Sequence, residues 1–308
     1  MAATANCGRH VKAREIRDAV RNSVACAWTP KGGEVGGGSK TTAGFLGGLP
    51  DDAPAPDFAA RWRARNECAR LDRIADSAAS GVSGLADLWE VSPVKHEKDA
   101  DDWLEWLFPD AEWLCIAESH PGSARTRRAE KWMFGPAESS GLIVPSPMTA
   151  ARGERKDGKS SARCLDNTGP RLWLVVEFDK LADGKTSMPI DEQAALHWHF
   201  RESSAACGWP RLGIVVHSGG KSLHGWYYVA GDEDAAHELM SYAVSLGADP
   251  ATWVRCQFVR MPGGMRGVQR QEVFFFDPTC KTPNLNISFT EHGMPSVSAQ
   301  LHALTEAA

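Results

Sequence analysis

No apolar run in this 308-residue chain approaches the length that crosses a bilayer, and the N-terminus lacks the apolar stretch of a signal peptide. No membrane partner is therefore expected, and the expected location is cytoplasmic. None of the eight cysteines, at positions 7, 26, 68, 115, 164, 207, 256 and 280, belongs to a C-x-x-C pair. That spacing points away from a zinc ribbon and from a disulfide framework, so no zinc is expected. A sound phosphate loop is missing too. Gly33-Glu34-Val35-Gly36-Gly37-Gly38-Ser39-Lys40-Thr41 has the right flavour, but Ser39 separates the last glycine from the lysine and no apolar strand precedes it. Nor is there an excess of positive charge: the net charge is −5.

The distribution of that charge says more than its sum. Acid dominates from Asp51 to Glu118, with a cluster at Asp99, Asp101, Asp102 and Glu105. Base gathers later, at Arg125, Arg127, Arg128 and Lys131, then at Arg152, Arg155, Lys156, Lys159 and Arg163, and finally at Arg255, Arg260, Arg266 and Arg270. Such patches can meet phosphates within an acidic chain, although each one alone is more often a solvated face.

The pattern divides near residue 107. A helix is expected over about 11–28, then a Gly/Pro-rich linker over 31–56. Phe58, Trp62 and Leu71 suggest a second helix; Trp103, Trp106 and Leu107 suggest a third, ending before Pro109. Beyond it, short apolar runs at 113–116, 142–144, 172–178, 212–216, 223–229, 258–261 and 273–276 read as strands. Helices are expected over about 190–206 and 232–246. This is an α/β arrangement with a mixed sheet, and the boundaries expected are 1–106, 107–290 and a tail over 291–308.

Three stretches carry chemistry. Leu172 to Asp179 reads as a buried strand ending in two acids, and alternation puts Glu177 and Asp179 on one face with Phe178 opposite. Two like charges so close need a cation or a shared proton. Next, His217-Ser218-Gly219-Gly220-Lys221-Ser222-Leu223-His224 is a strand, a glycine turn and a second strand. Its glycines let amides approach an anion, Lys221 adds charge, and Ser222 and His224 share a face. Last, Asp249 follows a helix, and Arg260 lies on a short strand running into Met261-Pro262-Gly263-Gly264.

In this order, Glu-x-Asp, Ser-x-His, and Asp followed by Arg-x-Pro-Gly resemble the archaeo-eukaryotic primase superfamily. The chain is most similar to the primase–polymerases of phages, plasmids and other mobile elements, over roughly Leu107 to Pro278. The resemblance implies a catalytic core with an RRM-like half, flanked by helices. It implies template-directed nucleotidyl transfer with two Mg²⁺ or Mn²⁺ ions held by Glu177, Asp179 and Asp249, which supply the hard oxygen such ions take. Ser222, His224, Lys221 and Arg260 would bind the incoming NTP or dNTP. Lys159, Arg163 and Arg266 are candidates for the single-stranded DNA template path on charge alone. The leading Glu departs from the family's usual Asp, yet both are oxygen ligands. Any replicative helicase would be a separate protein.

Two other readings stay open. A rolling-circle endonuclease uses His-hydrophobic-His, which His197-Trp198-His199 matches in letters, with Tyr227 or Tyr228 as nucleophile. That stretch has helical propensity, where i and i+2 do not share a face. The other is a catalytically silent DNA-binding replication module.

Overall fold

The computed structural model describes Phe58, Arg61 and residues 64–95, 98–133 and 139–282. The expected helix at 11–28, the linker at 31–56, the glycine-rich 33–41 segment and the C-terminal tail lie outside the described residues. In chain order the elements are α1 (Glu67–Ala79), α2 (Leu85–Glu90), α3 (Ala100–Leu107), β1 (Trp113–Ala117), β2 (Arg125–Arg128), α4 (Glu130–Met133), β3 (Leu142–Ile143), β4 (Gly153–Glu154), β5 (Ser160–Ser161) and β6 (Trp173–Glu177). Then follow α5 (Ile190–Cys207), β7 (Arg211–His217), β8 (Leu223–Tyr228), α6 (Glu233–Ser245), β9 (Val259–Arg260), β10 (Met265–Arg266), β11 (Gln269–Arg270) and β12 (Val273–Phe276).

Local chemistry sets the helix ends. Asn66 caps α1 by accepting from the Ala69 N–H, and Asp232 caps α6 by accepting from Ala235. Asp99 and Asp102 close a reciprocal capping box on α3. Helix α5 starts with Asp191 and Glu192 in its first turn and stops at Gly208, whose φ of 70° suits a residue without Cβ.

The strands form two four-stranded sheets, ordered β12-β7-β8-β6 and β2-β1-β3-β9, with separate hairpins β4-β5 and β10-β11. Every pairing among the described strands is antiparallel, so the expected mixed sheet is corrected. The reason is the glycine turn between β7 and β8. Strands β6 and β7, joined by α5, run parallel, but the turn folds β8 back between them, giving a split βαβ unit.

Alternation along β6 divides the interior. Leu174, Val176 and Phe178 face a core that includes Leu196 and Phe200 of α5 and Leu239 and Val244 of α6. Trp173 and Val175 face a second core with Ile214, Trp226, and Leu114, Ile116 and Ile143 of the other sheet. Glu177 therefore continues the face turned toward the second sheet. Elements before residue 107 belong to both cores: Phe58, Val82 and Leu88 enter the first, while Trp103, Leu104 and Leu107 enter the second.

This shared packing makes a stability prediction. Leu88 is fully buried, and Leu88→Ala should cost about 2–5 kcal/mol in denaturant unfolding of the whole chain. A midpoint equal to wild type would mean that α2 is not part of the cooperative unit.

Candidate functional site

The site forms where β6 ends. In the β6–β8 register Glu177 stands opposite His224, with Glu177 Oε1 3.6 Å from His224 Nε2. Asp249 arrives from beyond α6, and its N–H donates to the Glu177 carbonyl at 2.8 Å, so the chain itself joins the third acid to the first. Lys221 Nζ lies 3.4 Å from Asp179 Oδ2. Arg260 reaches in from β9 of the second sheet and interacts with Glu177. Thus the seven residues expected from sequence to hold metal and nucleotide come from two sheets and three loops to one place.

The turn presenting Lys221 is tightly built. Ser218 N–H donates to the Ser222 carbonyl at 2.9 Å, and Ser222 N–H donates to Ser218 Oγ at 3.1 Å. Gly219 has φ of 66°, in the left-handed region. At Gly220 an added Cβ would fall 2.2 Å from Arg266 Nη1, so glycine lets that guanidinium close on the turn. Gln193 of α5 braces the turn from behind, donating to the Lys221 carbonyl at 3.0 Å and accepting from Leu223 N–H at 2.8 Å. Sequence reasoning missed Gln193. A polar residue at the head of the buried face Ala194-Ala195-Leu196 was the available signal.

Electrostatics follow from burial. Glu177 is pushed above the ordinary carboxylate range, first by desolvation and further by Asp179, against the opposing effects of Ser222, Arg260 and Lys221. Asp249 is raised too, by desolvation and by the charges of Glu177 and Asp179, although its Oδ1 accepts from Ala251 N–H. His224 is depressed to about 3, by desolvation first and Arg260 next. Its imidazole is therefore neutral at physiological pH, and its contact with Glu177 at 3.6 Å is no ion pair. His224 Nδ1 is buried without a hydrogen-bond partner, a polar atom left for something else to satisfy. Burial also depresses Arg260, with Arg266 adding to the effect.

Oxygen donors crowded at a strand end, with their charged forms disfavoured by burial and by each other, suit a hard divalent cation in chemistry. Among the described residues no three acid, imidazole or thiol side chains stand close enough together to share an ion as they are arranged. Asp179 is directed at Lys221, and Asp249 spends one oxygen on its own turn, so binding requires these side chains to turn.

The three template candidates part company. Arg266 joins the site at the glycine turn. Lys159 sits apart on the β4–β5 hairpin, 77% exposed and 3.9 Å from Asp157. Arg163 is spent on structure, stacking 4.3 Å from the Phe258 ring and donating to the Cys256 carbonyl at 2.9 Å. The His-Trp-His stretch lies in α5 and does not converge: His197 meets the Tyr227 hydroxyl at 3.1 Å, whereas His199 meets Tyr242 at 3.1 Å. Tyr227 is fully buried, out of reach of a DNA phosphate, and Tyr228 packs on Trp173.

In comparisons with known proteins, no family model, no curated protein and no solved structure matches the chain.

A raised carboxylate has a definite sign. The neutral form of Glu177 is favoured by the fold, so its contribution is complete below the ordinary value of 4.5 and is lost as pH rises through the folded value. In metal-free buffer, Glu177→Gln should melt at a higher temperature than wild type at pH near 8 and converge with it near pH 4. A variant that is less stable than wild type at high pH would contradict this.

Proposed function

We propose that this chain is a DNA primase or primase–polymerase, similar to those of phages, plasmids and other mobile elements. What carries the reading is the convergence of Glu177, Asp179 and Asp249 with Lys221, His224 and Arg260 at one end of a sheet. The split βαβ unit, with Glu177 ending its first strand and Asp179 just beyond it, is in keeping with an RRM-like half. Glu177, Asp179 and Asp249 would hold Mg²⁺ or Mn²⁺, which supplies charge neutralisation at the attacking and leaving oxygens of phosphoryl transfer.

The remaining residues have tasks set by their chemistry. The reaction joins a primer 3′-oxygen to the α-phosphorus of an NTP or dNTP and releases pyrophosphate. A triphosphate brings several negative charges, and Lys221, Arg260 and Arg266 are among the cations bordering the acids, with Lys180 beside Asp249. Neutral His224 offers a hydrogen bond through Nδ1 with no cost of neutralising a charge. The backbone of the Gly219–Gly220 turn gives amides to an anion. A bound triphosphate would compete with Asp179 for Lys221 Nζ, leaving that carboxylate able to hold a metal ion. The polymer partner is a single-stranded DNA template. A location in the cytoplasm accords with this reading, and among the described residues no helix is long and apolar enough to cross a membrane.

Primer synthesis on a single-stranded template, with labelled nucleotides and Mn²⁺ or Mg²⁺, tests the proposal. Asp179→Ala should lower product by at least about 100-fold, the scale of losing an essential electrostatic group. Synthesis equal to wild type in that variant, or none by wild type under either metal, sinks the assignment; the second result with DNA binding intact favours a silent binding module.

Arg260→Gln separates nucleotide binding from the rest. Loss of a charged contact should raise the nucleotide KM by about 10- to 100-fold. Template affinity should stay as in wild type, and an unchanged KM would remove Arg260 from the nucleotide site.

A further inference from the structure

Asp179 and Lys221 meet from two segments whose backbones are fixed. The Asp179 carbonyl accepts from Met188 N–H at 3.1 Å, and the next residue, Lys180, bridges to Ser187. On the other side the Lys221 carbonyl accepts from Gln193 Nε2 at 3.0 Å, within the turn that Ser218 and Ser222 close. The side chains are what remains to move. Lys221 keeps 52% of its side-chain surface exposed and Asp179 keeps 16%, with Nζ 3.4 Å from Oδ2. An ammonium on a flexible stem can leave that carboxylate without any change in the fold.

The place of this ammonium decides what the empty site accepts. Lys221 acts on Glu177 as well as on Asp179, so its charge stands among the oxygens expected to hold a metal ion. A second lysine, Lys180, acts on Asp249. The acids are therefore partly neutralised from within the chain, and a divalent cation reaching Asp179 meets Lys221 first. A half-exposed pair of this kind is weak, so it yields to a stronger partner. A polyphosphate is such a partner. It sets several negative charges against the one on Asp179, and the Gly219–Gly220 turn with Arg266 closed on it flanks Lys221 with further anion-binding groups.

We propose that Lys221 is a latch that couples metal and triphosphate binding at this site. It occupies Asp179 while no triphosphate is bound, and it gives that carboxylate up when phosphate oxygens take the ammonium. Each ligand then raises the affinity for the other by the same factor, because coupling between two binding events is reciprocal. The latch rests on the reading of Glu177, Asp179 and Asp249 as metal ligands and of Lys221 as a phosphate contact. To that reading it adds an order: the chain takes its metal with the triphosphate and not ahead of it.

Binding of each ligand without the other separates the latch from catalysis. In Mn²⁺ titrations followed by electron paramagnetic resonance without nucleotide, Lys221→Met should bind the ion about 2- to 5-fold more tightly than wild type, the scale of one half-exposed ion pair. Lys180→Met removes the same charge from the Asp249 side and should give a smaller gain. In EDTA, equilibrium dialysis of ATP should show Asp179→Asn binding the nucleotide about 2- to 5-fold more tightly than wild type, because Lys221 is then released. In a Lys221→Met background the same substitution should bring only a small part of that gain. Mn²⁺ affinity unchanged in Lys221→Met, or raised equally by Lys180→Met, overturns the inference. So does an Asp179→Asn gain that is as large without Lys221. A wild-type chain that takes up neither Mn²⁺ nor ATP fails the reading of the site itself, and the latch with it.

Discussion

The antiparallel pairing of β6 with β8, in the register that sets Glu177 opposite His224, is the constraint on which the rest depends. A slip of one residue would send Glu177 and Asp179 into the core occupied by Phe178 and turn Leu174 and Val176 away from it. The hydrophobic alternation of β6 therefore fixes the chemistry at its end. Both neighbours of the register are secured independently. Gln193 holds the turn before β8, and Asp249 is tied by its backbone to Glu177. Four separated stretches of chain meet there because each is anchored in the same two cores.

Crowding acids together in a partly buried place disfavours their charged forms. Glu177 and Asp249 are both held above their ordinary values, and Lys221 turns to Asp179 as a local counter-charge. His224, kept neutral by burial, contributes a polar atom and no charge. The burial of the two raised acids is a local cost that a divalent cation, in the proposed reading, would relieve. Perturbed groups gathered in this way make the end of β6 a candidate functional site.

Much of this was legible in the sequence. The strand from Trp173 to Glu177 and the helices α5 and α6 follow from apolar runs and periodicity, and the opposition of Phe178 to its acidic neighbours follows from a period of two. The nature of the sheet was not legible. Antiparallel pairing depends on β8 folding back between β6 and β7, a three-dimensional consequence of a turn whose glycines show only that bending is possible. Strand β2, Arg125–Arg128, was hidden because charged residues do not look like a strand until Trp113 and Trp132 are found beneath Arg128 and Arg127. Nor does a count of basic residues show that the Arg163 guanidinium stacks on Phe258.

In the proposed reading Glu177, Asp179 and Asp249 act as one cation site beside the bound triphosphate. Titration of Mn²⁺ by electron paramagnetic resonance, with and without a nucleoside triphosphate, tests it most directly. Wild type should take up Mn²⁺ more tightly when the nucleotide is present, and the variant carrying Glu177→Gln, Asp179→Asn and Asp249→Asn together should lose that uptake while remaining folded. Equal Mn²⁺ binding by the folded triple variant and wild type would contradict the account.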